Sequence, residues 1–195
     1  MTENLRSVPI GKIITSDTAQ DVVVAYGLGS CVAVCLYDPV VRVGGMLHAL
    51  LPTAPDRVSS ENGHKPLSAA RFVDQGTPLM IEALLKLGAR RSRLTAQLCG
   101  GAQTLSAPGF KDDVLNIGER NVRAAENVLR VEGIDIQTRD TGGRSGRTVK
   151  FYIADGRVTV KSLGQGVQVL VLAMDTEMSS TKMNSHNTQR EICHA

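Results

Sequence analysis

The chain has 195 residues, 42% hydrophobic and 21% charged, a balance that suits one globular domain with a sizeable core and gives no length argument for two. Aromatic residues make up 3% and tryptophan is absent, which argues against base-stacking platforms, so no nucleic-acid partner is expected. The net charge of +3 is slight, and arginines such as Arg90, Arg91, Arg123, Arg139 and Arg147 are spread along the chain, reading as solvated surface more than as a site for an acidic partner.

The first residues, M-T-E-N-L-R-S, hold no apolar signal core, and no run approaches the roughly 18–20 apolar residues of a membrane span. No membrane insertion is expected. Four cysteines, Cys31, Cys35, Cys99 and Cys193, lack metal-ligand spacing, so neither a metal nor a cofactor is expected. A reduced cytoplasm is the natural compartment for such thiols.

Taken in order, Val8 to Thr15 reads as a first strand, Ser16 to Gln20 as a polar turn, and Asp21 to Tyr26 as a strand leading to a glycine-rich turn. Cys31 ends that turn. The apolar run Cys31 to Tyr37, the turn signal Asp38-Pro39 and a second apolar run, Val43 to Leu51, read as a β-hairpin. With a loop of Asp38 to Val41, Tyr37 pairs with Arg42, Ala33 with Met46, and Cys31 with His48. Directly opposed residues share a face, with Cβ atoms roughly 4.5–5.5 Å apart. A one-residue slip would turn His48 away.

A thiol beside an imidazole is the minimal unit of nucleophilic catalysis. The thiolate is the reactive form, a free thiol has a pKa of about 8.5, and an imidazole can take the proton and later return it to a leaving group. Gly27 and Gly29 let the backbone turn sharply, and the N–H groups around Gly29, Ser30 and Cys31 are candidates to hold an oxyanion. The competing reading is plain: free cysteines are among the most buried residues, and most are inert packing.

Thr53 to Pro66 reads as a loop after the His48 strand, either a lid or a connection, and its His64 as solvated. Ser68 to Leu87 has helical spacing and stops at Gly88, with Pro78 predicting a kink or a late start near Gly76-Thr77. Leu94 to Cys99 reads as a strand ending at Gly100-Gly101-Ala102. Asn116 to Glu119 resembles a capping box opening a helix to about Glu132. Four strands follow, at 134–138, 148–154, 157–163 and 167–172, with Asp155-Gly156 a hairpin turn. From Asp175 the chain turns polar and unpatterned, which divides it into a domain of residues 1–174 and a disordered tail of 175–195. His186, Cys193 and His194 in that tail suggest adventitious metal binding at most.

The run G-L-G-S-C-V-A-V-C-L-Y-D-P, with G-G-M-L-H and L-P after it, closely resembles the CheD family of chemoreceptor glutamine deamidases. The resemblance continues in Gly100-Gly101-Ala102, in I-G-E-R-N (Ile117 to Asn121) and in D-T-G-G-R-S-G-R (Asp140 to Arg147), and covers roughly Ile10 to Val171. By position it implies Cys31 as nucleophile and His48 as its histidine. The family has a threonine six residues before the cysteine, orienting the histidine, where this chain has Ala25. Tyr26, Ser30 or a backbone carbonyl are left as candidates to hold the imidazole.

The resemblance further implies deamidation of chemoreceptor glutamines, an associated hydrolysis of glutamate methyl esters, and two partners, the chemoreceptors and a CheC-like phosphatase. It also implies that the 140–147 loop borders the site. The alternative is a non-catalytic regulator that binds receptors or CheC; a cysteine protease is a weaker third reading. The fold expected is a single α/β domain, a layered sandwich of mixed or antiparallel sheet with two long helices and about nine short strands.

Overall fold

The computed structural model describes residues 2–55, 68–103, 116–162 and 166–170. In chain order these form β1 (Asn4–Ser7), β2 (Lys12–Ser16), β3 (Asp21–Leu28), β4 (Val32–Asp38), β5 (Val43–Ala49), α1 (Val73–Lys86), β6 (Thr95–Gly100), α2 (Ile117–Val131), β7 (Asp135–Thr141), β8 (Arg147–Tyr152), β9 (Val158–Ser162) and β10 (Val167–Leu170). The strands make two five-stranded sheets, ordered β1-β3-β8-β9-β10 and β2-β5-β4-β6-β7. Pairing is antiparallel except for β1 with β3 and β6 with β7.

Period-two alternation decides what each face of β4 meets. Ala33, Cys35 and Tyr37 enter a core between the sheets with Val23, Ala25, Val149 and Phe151. Val32, Val34 and Leu36 enter a second core with Met80, Ile81 and Leu84 of α1 and Leu129 of α2. With both faces covered, β4 is buried along its whole length and reads as a near-continuous apolar run. The layers are therefore sheet, sheet, helices: the expected α/β sandwich. Among the described residues no helix is long and apolar enough to cross a membrane.

Three expectations are corrected. The stretch expected as one strand, Val8 to Thr15, instead contains a crossing. The chain runs in the first sheet as β1, turns at Pro9–Lys12, and enters the second sheet as β2. Lys12 N–H donates to Pro9 O at 3.1 Å, and Gly11 between them has φ +72°, the left-handed value a type II turn requires there. Buried Asp21 holds the three strands together, accepting from Asn4 of β1 (2.6 Å), Arg6 of β1 (2.8 Å) and Ser16 of β2 (2.6 Å).

The hairpin register also differs. Asp38 pairs with Val43, Tyr37 with Gly44 and Ala33 with His48, so the four-residue loop is 39–42 and not 38–41. Asp38 is held at the strand end because its buried carboxylate accepts from Val40 N–H (3.0 Å), Arg90 N–H (2.9 Å) and the Arg93 guanidinium (2.7 Å). Cys31 consequently precedes the strand and stands diagonally from His48 instead of opposite it. A shift of two residues preserves the face that alternation assigns, but Cys31 lies outside the ladder and its thiol makes no hydrogen bond to His48 Nε2.

Finally, the first helix starts at Val73, after a 3₁₀ turn at Ala69–Arg71, with Pro78 inside it. The second helix matches its capping signal, Asn116 accepting from Glu119 N–H at 3.3 Å. Most of the 53–66 loop with His64, and the proposed tail with His186, Cys193 and His194, lie outside the described residues.

Candidate active site

The turn before Cys31 begins with a bulge. Between the pairs Ala25–Val149 and Leu28–Arg147, β3 carries one residue more than β8. Gly27, at φ +65°, takes the conformation the bulge needs, and Tyr26 is turned out, 57% exposed. The chain then doubles through Gly29 and Ser30 into Cys31.

Each carbonyl of that turn has a donor. Gly29 O accepts from Ala102 N–H (2.8 Å), Cys31 O from Gly101 N–H (2.7 Å), and Ser30 O from the Asn121 side-chain amide (2.8 Å). Among the described residues, no backbone carbonyl accepts from the N–H groups of Gly29, Ser30 or Cys31, and the Cys31 N–H faces its own thiol. The Gly100-Gly101 pair makes this close approach feasible: a Cβ on Gly100 would run into the Cys31 carbonyl, and Gly100 has φ +107°. Gly118 of α2 packs as tightly from the other side, where a Cβ would stand 2.5 Å from Gly101 O.

His48 lies on β5, facing the core between the sheets, and is 2% exposed. Its Nδ1 is 3.1 Å from the carbonyl oxygen of Val8, at the crossing between β1 and β2. A carbonyl only accepts, so Nδ1 carries the proton and Nε2 keeps its lone pair. That Nε2 is buried with no partner among the described residues. The backbone carbonyl, one of the three candidates, thus occupies the orienting position, while Ala25 is buried apolar packing in the inter-sheet core. Sequence reasoning missed Val8 itself. Its signal was the Pro9–Gly11 turn that interrupts the first strand.

Burial sets the resting charge state. It pushes the Cys31 thiol up, against an opposing backbone hydrogen bond, and pushes the His48 imidazole down, against the Val8 carbonyl. Cys31 therefore rests as a thiol and His48 as a neutral imidazole. The other described thiols are less available: burial raises Cys35 well above its ordinary value, and burial together with the Asp140 carboxylate raises Cys99 to about 12. Cys31 is 6% exposed, against 1% for Cys35 and 0% for Cys99.

The 140–147 loop lies against the segment that grips Cys31. Gly142 N–H donates to Gly100 O, and Gln103 N–H to Gly143 O, both at 2.9 Å. Arg147 closes the loop on itself by donating to the Asp140 backbone oxygen (2.6 Å), the Asp140 carboxylate and Gly142 O. A cavity of about 250 Å³ opens there, lined by Gly101, Gln103, Glu119, Val122 and Gly142 among others. Among the described residues no cluster of three His, Cys, Asp or Glu is arranged to hold a metal ion.

The model of the CheD family, described as CheD chemotactic sensory transduction, matches residues 50–162. A probable chemoreceptor glutamine deamidase CheD of Caldanaerobacter subterraneus subsp. tengcongensis is 46% identical over 144 residues, 74% of this chain and 85% of that protein. The protein of the same description from Desulforamulus reducens is 47% identical over 75% of this chain and 84% of its own length. Among solved structures, the hypothetical protein YfiH of Bacillus licheniformis aligns with a TM-score of 0.41 at 12% identity, covering 73% of this chain and 61% of that one.

Proposed function

We propose, from the premise that this chain belongs to the CheD family, that it deamidates glutamine side chains of chemoreceptors and does so through Cys31 and His48. The observation that carries the mechanism is the Nδ1 contact with Val8, which leaves the His48 Nε2 lone pair without a partner among the described residues, on a strand where His48 stands opposite Ala33, two residues from Cys31.

His48 Nε2 takes the proton of the Cys31 thiol as sulfur attacks the side-chain carbonyl of the substrate glutamine. The N–H groups of Gly29, Ser30 and Cys31 stabilise the resulting oxyanion, and their lack of carbonyl acceptors among the described residues supports that role. The imidazolium protonates the departing nitrogen, ammonia leaves, and a thioester remains on Cys31. A water deprotonated by Nε2 then cleaves the thioester, releasing glutamate and restoring the thiol. A glutamate methyl ester enters the same sequence, with methanol leaving in place of ammonia. The chemistry needs a free thiol, which fits the cytoplasm.

The test is incubation with a glutamine-bearing receptor fragment, reading ammonia and the amide-to-acid mass gain. Cys31→Ala is expected to release none. Equal release by that variant would remove Cys31 from the nucleophile's role. Docking on a CheC-like phosphatase, the partner the family resemblance implies, is a separate binding measurement with Cys31→Ala expected to retain affinity. A binding-only regulator would keep that affinity, release no ammonia as wild type, and alkylate no faster at Cys31 than at Cys35.

A further inference from the structure

Asn121 is fully buried in the second turn of α2, yet its side chain reaches two segments far away in sequence. Its amide donates to Ser30 O at 2.8 Å and to Leu50 O at 3.0 Å. Both acceptors are carbonyls, so the NH₂ group must be the one facing them. Ser30 immediately precedes Cys31, and Leu50 lies two residues beyond His48.

The β4–β5 ladder ends at the pair Val32–Ala49. Past that last rung, no ladder bond sets the distance between the Cys31 segment and the Leu50 segment. Asn121 spans that gap from a helix itself anchored by Gly118 against Gly101 and by Leu129 in the core. We infer that Asn121 is a positioning residue for the Cys31–His48 reaction, its amide tying the nucleophile turn to the histidine strand and fixing the approach of sulfur to Nε2. The inference rests on the reading of Cys31 as nucleophile and His48 as base. Because Asn121 is buried and acts through backbone, it sets the rate of the bound complex and not the affinity for substrate.

The test uses the full chain with Asn121→Asp, which replaces both donors by acceptors at nearly constant volume. Asn121→Ala, which removes the donors without burying a charge, decides the matter if the first variant does not fold. Val158→Ala, a buried residue of β9 in the other sheet, serves as the stability control. Loss of positioning by about an ångström lowers kcat by about 10²-fold, with KM for the receptor fragment within about twofold. The pH profile of Cys31 alkylation is expected to move onto that of His48→Ala. Val158→Ala is expected to melt earlier while keeping both kcat and the wild-type profile.

An Asn121 variant that melts earlier but keeps kcat and the alkylation profile overturns the inference. Should wild type release no ammonia, the deamidase reading fails separately, and the alkylation profile alone still decides for or against Asn121.

Discussion

The imidazole of His48 and the carbonyl of Val8, 3.1 Å apart, meet where the chain leaves one sheet for the other. The contact fixes the proton on Nδ1 and, with burial, makes His48 a neutral base. At neutral pH, nitrogen-15 spectra of the folded protein are expected to show the Nδ1-protonated tautomer. Protonation at Nε2 would contradict the assignment.

The same burial predicts a pH profile. His48 is held below the ordinary imidazole value of about 6.5, so kcat/KM should rise through that lower value as pH increases and stay flat through neutrality. Stability follows with the same sign. The unfolded state takes up the proton first as pH falls, so stability drops between about pH 6.5 and the lower folded value. His48→Ala should remove the kinetic limb and lower kcat by about 10² to 10⁴-fold. An activity that instead climbs near the free-thiol value of about 8.5 would point to an unassisted Cys31.

Gly118→Ala puts a methyl group 2.5 Å from Gly101 O and 2.8 Å from Ala102 O, backbone atoms of the segment that holds the Cys31 turn. Overpacking of this kind costs roughly 1–3 kcal/mol. Because the displaced segment bonds to Gly29 and Cys31, kcat should fall along with the melting temperature. A loss of stability with unchanged kcat would show that the turn tolerates the shift.

Asp38 supports the hairpin register and should show it in acid. Burial raises its carboxyl, but the Arg93 guanidinium and the N–H groups of Arg90, Val40 and Val41 prevail and hold it below the ordinary value. The stability it supplies is complete above about pH 4 and is lost as pH falls through the lower folded value. Asp38→Ala is expected to cost about 3 kcal/mol in denaturant unfolding at neutral pH and to flatten this part of the acid limb. Unchanged unfolding at neutral pH would mean that the carboxylate contributes nothing net.

Much of this architecture was legible in the chain. Apolar runs bounded by turn residues mark β3, β4, β5 and β6, and the Asn116 cap marks α2, because these signals are local. The pairing of β4 with β5 was legible as to face but not as to offset. The loop can close in two ways that differ by two residues, and the choice falls to Arg90 and Arg93, more than fifty residues along the chain. The orienting group of His48 was less accessible still, since a backbone carbonyl carries no side-chain signature. The glycine of I-G-E-R-N likewise acquires a meaning only once α2 is seen against Gly101.

On the proposed mechanism, the crossing at Val8 makes the opening residues part of the chemical machinery. Val8 N–H is tied to Val24 O at 2.8 Å, and β1 leans on Asp21, so the prop behind the imidazole is a short ribbon clamped at few points. Clipping that ribbon, or burdening it with a bulky fusion, would silence the enzyme while leaving sulfur and ring chemically intact.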